Sequence, residues 1–218
     1  MRPSLAVVLL SLLLSLTGCL SVSDPGKTIP MQLIPAEQSA RRLVVVLPGR
    51  ADDLEALRRS GMPEAIHAAW PDADVLLAEV TLGDYMQGRA PERLHAEVIA
   101  PARERGGYRE VWLAGASMGG MGVLMYDRLH PGEMDGLVLL APYLGGAALL
   151  REIGDAGGVA QWNAGPEQPV NADNWQREMW RHIQRWSRNP DEASRVWLAY
   201  GDRDRLRKTM PLLAPALT

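Results

Sequence analysis

Hydrophobic positions along the chain fall into short continuous runs, separated by longer stretches with a helical period. The continuous runs cover 42–47, 111–116, 137–140 and 195–200, with weaker strand patterns at 29–34 and 74–80. The helical stretches cover 52–59, 63–70, 90–105 and 118–129. Continuous apolar runs are typical of strands that are buried on both faces. Their alternation with helices predicts an α/β fold, a mostly parallel sheet flanked by helices on both faces.

The alternation stops after the strand that ends near Ala141, and the segment at about 143–190 is predicted to be a helical cap inserted into the fold. One helix in it carries an apolar face made of Trp175, Met179, Ile183 and Trp186, with arginines on the other side. This face could pack against the body of the domain, or it could form a lid that contacts substrate.

The run at 111–116 leads into the motif Gly115-Ala116-Ser117-Met118-Gly119-Gly120, which is followed at once by a predicted helix. A serine hydroxyl is a weak nucleophile, so it must stand on a tight, exposed turn that a base can reach. Gly115 and Gly119 would leave room for that turn, and the helix N-terminus would favour a developing oxyanion. We interpret Ser117 as a nucleophile, although an ordinary glycine-rich turn between strand and helix has the same pattern.

Composition agrees with one globular domain: the chain has 218 residues, of which 47% are hydrophobic, and a net charge of −3. This charge, with no basic run, excludes a nucleic-acid partner. No cluster of histidine and cysteine has the spacing of metal ligands, and no phosphate loop is visible, so we expect neither metal nor organic cofactor. The sequence leaves the oligomeric state open.

The first residues resemble a bacterial lipoprotein signal: Arg2, an apolar stretch from 5 to 16, and the ending Leu16-Thr17-Gly18-Cys19. This resemblance implies a signal peptide at 1–18, acylation of Cys19 and a flexible tether at 19–28. Cys19 is the only cysteine, so no disulfide competes for it. In such lipoproteins, a residue other than Asp after the cysteine implies sorting to the outer membrane, and Leu20 stands at that position. We therefore expect a lipid-anchored protein of the cell envelope, at the outer membrane facing the periplasm. A plain secretory signal is the alternative.

The rest of the chain resembles an α/β-hydrolase-fold serine esterase. The motifs that carry the resemblance stand in the family's order, and they are Leu47-Pro48-Gly49-Arg50, the segment 115–120, Leu140-Ala141-Pro142-Tyr143 and Gly201-Asp202-Arg203-Asp204. The resemblance implies one hydrolase domain at 29–218, Ser117 as nucleophile and Asp204 as catalytic acid, with Asp202 as second choice. The backbone N–H groups of Arg50 and Met118 would form the oxyanion hole.

The pattern breaks at the catalytic histidine, which the family carries after one further strand. No histidine follows Asp204, and the chain stops at Thr218. The four histidines are His67, His95, His130 and His182. The first two are on flanking helices, and His130 lies about 18 Å along the helix from Ser117. Only His182, on the cap helix, is a remote candidate for the base.

We therefore expect a truncated C-terminal end, with the strand at 195–200 left as an exposed apolar edge. The predicted activity is hydrolysis of a carboxylic ester, with thioester or lipid ester as options, through an acyl-enzyme on Ser117. The substrate would be a small-molecule or lipid ester, and the acylated Cys19 would bind the membrane. Loss of the base would leave only residual activity. The alternatives are a peptidase, an inactive truncated product, and a non-catalytic lipoprotein that binds through the hydrolase fold.

Overall fold

The computed structural model describes residues 27–217. Its centre is a six-stranded sheet in the order β1-β3-β2-β4-β5-β6. The strands are β1 (Met31–Ile34), β2 (Arg42–Leu47), β3 (Ala73–Ala78), β4 (Glu110–Ala116), β5 (Gly136–Leu140) and β6 (Val196–Ala199). Only β1 runs antiparallel to its neighbour, and all other pairs are parallel. The predicted mostly parallel sheet is therefore confirmed.

Helices follow most strands, as the alternation predicts. They are α1 (Leu54–Arg58), α2 (Met62–Ala69), α3 (Leu82–Met86), α4 (Ala90–Leu94), α5 (Ala100–Gly106), α6 (Met118–Leu129), α7 (Ala147–Asp155), α8 (Trp175–Trp186), α9 (Pro190–Ala193) and α10 (Met210–Leu213). A π-helical turn at His95–Ile99 joins α4 to α5, so the single helix predicted at 90–105 is interrupted. Short 3₁₀ turns at Arg207–Thr209 and Ala214–Leu217 flank α10.

Alternate residues of the central strands pack into two separate cores. Val44 and Val46 of β2 lie with Trp112 in a small core on one face. Leu43, Val45 and Leu47 of the same strand belong to the larger core on the other face. Residues of α1 and α2 line the small core, whereas those of the π-helical turn, α6 and α8 line the large one. Helices on both faces are thus confirmed.

Three helices, α7, α8 and α9, occupy the chain between β5 and β6, where the sequence predicts a cap. The apolar face of α8 is buried along most of its length and only partly buried at its first residue. Met179, Ile183 and Trp186 are fully buried in the large core, while Trp175 is only half-buried. Most of this face therefore packs against the body, and its first residue remains at the surface beside the serine.

Ile29, before the first strand, is buried, and its backbone N–H donates to Glu97 Oε2 at 2.7 Å. The predicted signal peptide and Cys19 lie outside the described residues. No helix within 27–217 has the length and apolar character needed to cross a membrane. At the other side of the sheet, β6 is the edge strand of the described residues, and Trp197 is 50% exposed.

Candidate active site

Ser117 occupies a strained turn between β4 and α6. Its backbone has φ 52° and ψ −113°, a conformation that is costly for a residue with a β-carbon. Neighbouring backbone groups hold the turn, because the Ser117 N–H donates to Leu140 O at 2.9 Å and its carbonyl accepts from Tyr143 N at 2.9 Å. The side chain is left half-buried, and its Oγ makes no hydrogen bond to a described residue. Strain of this kind is typical of functional sites.

Two glycines allow the backbone around Ser117 to come this close. A β-carbon on Gly115 would lie 2.3 Å from the carbonyl carbon of Gly119, so β4 and α6 could not meet. A β-carbon on Gly119 would lie 2.4 Å from Leu47 O, at the end of β2. The structure therefore gives the motif a steric reason for both glycines, which an ordinary turn would not need.

The loop after β2 lies beside the first turn of α6. Gly49 O accepts from Asp52 N at 3.3 Å, and Ala51 takes a left-handed backbone with φ 65°. Arg50, between them, is exposed, and its N–H forms no hydrogen bond with a described residue. The N–H of Met118 likewise belongs to the first turn of a helix, where no intrahelical acceptor exists. Two backbone donors are thus available near Ser117.

A cavity of about 390 Å³ opens at this point and brings Ser117, Met118 and Arg50 to one surface. Its other walls are mostly apolar, and they are Leu82, Tyr85, Met86, Met121, Met125, Tyr143 and Trp175. A second cavity of about 460 Å³ shares Tyr85, Met86, Met125 and Trp175 with the first. The two form a groove that begins at the serine and continues between α3, α6 and the cap. Their sizes are typical of sites for small molecules.

Most wall residues were missed by the sequence analysis. Met121 and Met125 could have been found, because they follow Ser117 at intervals of four and so share its face of the helix. Tyr85 carries no such signal, because α3 approaches the groove only in the folded chain. The hydroxyl of Tyr85 is buried without a hydrogen-bond partner among the described residues, and burial raises its pKa.

Asp204 lies in the turn after β6, at the same edge of the sheet as Ser117. Ala116, Leu140 and Ala199 are aligned across β4, β5 and β6, so the ends of β4 and β6 are about 10 Å apart at the usual strand spacing. Asp204 Oδ1 accepts from the N–H of Leu206 at 2.7 Å, which orients the half-buried carboxylate. Asp202 is exposed. Neither residue lines the groove beside Ser117.

His182, the remote candidate for the base, lies elsewhere. Its Nε2 is 2.7 Å from Asp127 Oδ2, and its Nδ1 accepts from Arg185 Nη2 at 2.6 Å. The ring is therefore neutral, with its proton on Nε2, and burial lowers the pKa of His182. Asp127 is ten residues along α6 from Ser117, or about 15 Å. In this structure His182 is therefore paired with Asp127 and lies too far from Ser117 to take its proton.

The remaining histidines are also distant from the serine. His67 is on α2, on the opposite face of the sheet, and His95 and His130 lie together at the far end of α6. No histidine of residues 27–217 lines the groove beside Ser117. The site therefore contains a strained serine, two backbone donors and an apolar groove, without an imidazole from the described part of the chain.

Comparison with known proteins agrees with this geometry. The model of the Esterase family, described as "Putative esterase", matches residues 92–216, more than half of the chain. Curated protein sequences give no match.

Solved structures show the same fold at low sequence identity. Est1E from Butyrivibrio proteoclasticus is 18% identical, with a TM-score of 0.53 over 84% of this chain and 77% of that one. FphF, a fluorophosphonate-binding serine hydrolase of Staphylococcus aureus, is 14% identical, with a TM-score of 0.59 over 83% and 76%. A monoacylglycerol lipase of Paleococcus ferrophilus is 17% identical, with a TM-score of 0.53 over 88% and 85%.

Identities this low show a common fold and leave the substrate open. The family match covers α6, β5, the cap and β6. Together, the match and the fold support a carboxylic ester hydrolase. The chain belongs to the esterase family, and its fold is that of the α/β hydrolases.

Proposed function

We propose that the protein hydrolyses carboxylic esters through Ser117. A base takes the hydroxyl proton as Oγ attacks the ester carbonyl, the alcohol leaves with a proton from that base, and water then hydrolyses the acyl-enzyme to the free acid. The histidines of residues 27–217 do not supply this base. The observation that carries the proposal is the strained turn at Ser117, which is open to a groove and whose Oγ has no hydrogen bond to any of residues 27–217. The N–H groups of Met118 and Arg50 would stabilise the oxyanion. If that base is an imidazole, Asp204 would orient it and stabilise its charged form.

The groove supports an apolar acyl group as the part of the substrate next to Ser117. Its walls near the serine are methionine, leucine and aromatic side chains, which bind apolar groups of varied shape. Met125 lines both parts of the groove, so a longer acyl chain would pass it. A medium-length acyl ester or an aryl ester fits this surface better than a charged or sugar-like acid.

A second candidate function is ligand binding without catalysis. The observation that favours it is that no histidine from residues 27–217 reaches the groove. An esterase fold that has lost its base would still bind apolar acyl compounds, because the groove does not depend on the imidazole. The two functions differ in the reactivity of Ser117 and not in the ligand.

We further propose that the protein acts from the bacterial envelope, anchored through an acylated Cys19 and facing the periplasm. This proposal rests on the sequence pattern at 5–19, which lies outside the described residues. Esters of membrane lipids would then be within reach. Mass spectrometry of the mature N-terminal peptide tests it, with Cys19→Ala as the comparison.

The function is tested with a fluorophosphonate probe and a series of p-nitrophenyl esters, from acetate to dodecanoate. We expect stoichiometric labelling of the folded protein and none in Ser117→Ala. The matched control is Ser194→Ala, because Ser194 is exposed and its hydroxyl bonds only to Asp191 O. If a well-folded sample is not labelled but still binds a fluorescent fatty acid, ligand binding replaces hydrolysis as the function.

The same series of esters tests whether the acyl chain of the substrate passes Met125. Met125→Trp places a large ring where the two parts meet, so it should slow the longer esters at least about tenfold relative to acetate. An equal effect on all esters would mean that the acyl group does not pass Met125.

A further inference from the structure

Two histidines and one glutamate meet at the far end of α6. His95 begins the π-helical turn, His130 ends α6, and Glu133 follows in the next turn. The Nδ1 atoms of His95 and His130 each lie 3.3 Å from Glu133 Oε2. The three ligand atoms are all within 4.8 Å of one another.

The two separations from Glu133 Oε2 suit a zinc ion. With bonds of about 2.0 Å to nitrogen and oxygen, tetrahedral geometry places neighbouring ligand atoms about 3.3 Å apart. Two imidazoles and one carboxylate are a ligand set that zinc accepts, and a water can complete the fourth position. The side chains of His95, His130 and Glu133 are 36%, 23% and 25% exposed, so an ion can reach them from solvent.

The surroundings orient the carboxylate. The buried Tyr126 hydroxyl donates to Glu133 Oε2 at 2.9 Å and lies 3.0 Å from His95 Nδ1. Such outer contacts fix the ligands of metal sites. Glu92 adds negative charge near His130, while Arg103 donates to the Glu133 carbonyl and adds positive charge. The π-helical turn that carries His95 is itself a feature that occurs frequently at functional sites.

We propose that His95, His130 and Glu133 form a zinc site that links the π-helical turn to the C-terminal end of α6. Ser117 is at the opposite end of this helix, so the ion stabilises the fold and takes no part in ester hydrolysis. The two rings are now stacked with centroids 4.3 Å apart and planes 8° apart. A shared ion must lie near the plane of each ring, so binding tilts the rings away from each other.

The sequence analysis expected no metal ligands, and the physical reason for the difference is the spacing. His95 and His130 are too far apart in the chain to form a recognisable motif, and only the packing of the π-helical turn on α6 joins them. His95 and His130 therefore look like unrelated helix residues in the sequence.

Isothermal titration of the untagged protein with zinc chloride, in a buffer that does not chelate, tests the proposal. We expect one ion per chain and a melting temperature raised by about 5–10 °C at a hundredfold excess over Kd. His95→Gln, His130→Gln and Glu133→Gln should each remove the binding. Tyr126→Phe should weaken it about 10- to 100-fold, because the hydroxyl orients Glu133 and contacts His95 but is not itself a ligand.

His67→Gln is the matched control, since His67 lies on α2 across the sheet, and it should bind zinc as the unchanged protein does. Binding that persists in the three ligand variants, or no binding at millimolar zinc, would overturn the proposal. Circular dichroism of each variant distinguishes loss of binding from loss of fold. Labelling of Ser117 is an independent readout, and it should be the same with and without zinc.

Discussion

Ser117 and Asp127, near the two ends of α6, differ in how their side chains are hydrogen-bonded. At the N-terminal end, Ser117 has a strained backbone, an Oγ without a hydrogen bond to described residues, and an open groove beside it. At the C-terminal end, Asp127 is fully buried, and its carboxylate contacts His182 at 2.7 Å and Arg195 at 2.6 Å. Ser117 thus marks a strained end, where the hydroxyl has no partner among the described residues, whereas Asp127 marks a paired end, where both carboxylate oxygens have partners.

This difference suggests that the paired end holds the helix while the strained end does chemistry. Asp127 connects three parts of the chain, because His182 belongs to the cap helix α8 and Arg195 precedes β6. A strained turn persists only when its surroundings fix it. The contacts of Asp127 thus help to keep both α6 and the cap in place, and the cap supplies Trp175 to the groove.

Asp127→Ala should have the largest effect on stability, because it removes the carboxylate at the paired end of α6. It leaves Arg195 and His182 without their carboxylate, and we expect the free energy of unfolding to fall by about 3–5 kcal/mol. Urea denaturation followed by circular dichroism measures this change. Asp155→Ala is the control, since Asp155 is exposed at the end of α7, and it should stay within about 0.5 kcal/mol of the parent. A loss below 1 kcal/mol for Asp127→Ala would mean that the charges are not essential to the fold.

Gly115→Ala should have the next largest effect on stability, and it displaces the turn at the strained end of α6. The new β-carbon would meet the carbonyl carbon of Gly119 at 2.3 Å, so α6 must move away from β4 at a cost of about 1–3 kcal/mol. A shift of the serine by 1 Å can lower reactivity about 100-fold. We therefore expect loss of fluorophosphonate labelling in a chain that still folds.

Gly154→Ala is the matched control for this change, because Gly154 lies in α7 and the nearest atom to a β-carbon there is Leu212 Cδ2 at 3.9 Å. Its labelling rate should equal that of the parent chain. If Gly115→Ala also labels normally, the close approach of strand and helix is not what positions Ser117, and the proposed role of the motif fails.

The sequence predicted much of the structure around Ser117 and little of the contacts around Asp127. The strand, the glycines and the helix from Met118 to Leu129 follow from local patterns, because an apolar run and a helical period are properties of neighbouring residues. Arg50 and Met118 could be placed beside Ser117 because parallel strands end at one edge of the sheet. Asp127 gave no signal, since a single aspartate within a helix pattern is usually exposed.

The same limit applies to the histidines and to the groove. His182 stands on an apolar face beside Trp186, and only the fold shows that its partner is Asp127. Tyr85 reaches the groove through α3, whose place depends on packing between distant segments. Long-range pairing of polar groups thus could not be predicted, because it is fixed by the tertiary structure and not by the spacing along the chain.

Two tyrosines at α6 give the comparison with the smallest effect: Tyr85 of α3 packs against Gly122, and Tyr126 is itself a residue of α6. The Tyr85 hydroxyl lies against Gly122 with no hydrogen bond to a described residue, whereas the Tyr126 hydroxyl donates to Glu133. Removing an unpaired buried hydroxyl is favourable, and removing a paired one is not. Tyr85→Phe should therefore raise the free energy of unfolding by about 1 kcal/mol, while Tyr126→Phe should lower it by about 1–2 kcal/mol.

Urea denaturation of both variants, together with ester hydrolysis, shows what the unpaired hydroxyl is for. If Tyr85→Phe is more stable but has a higher KM, the hydroxyl is kept unpaired to meet the substrate, as a trade of stability for function predicts. If both variants lose stability equally, the Tyr85 hydroxyl is hydrogen-bonded in solution as that of Tyr126 is, and it is not kept unpaired for the substrate.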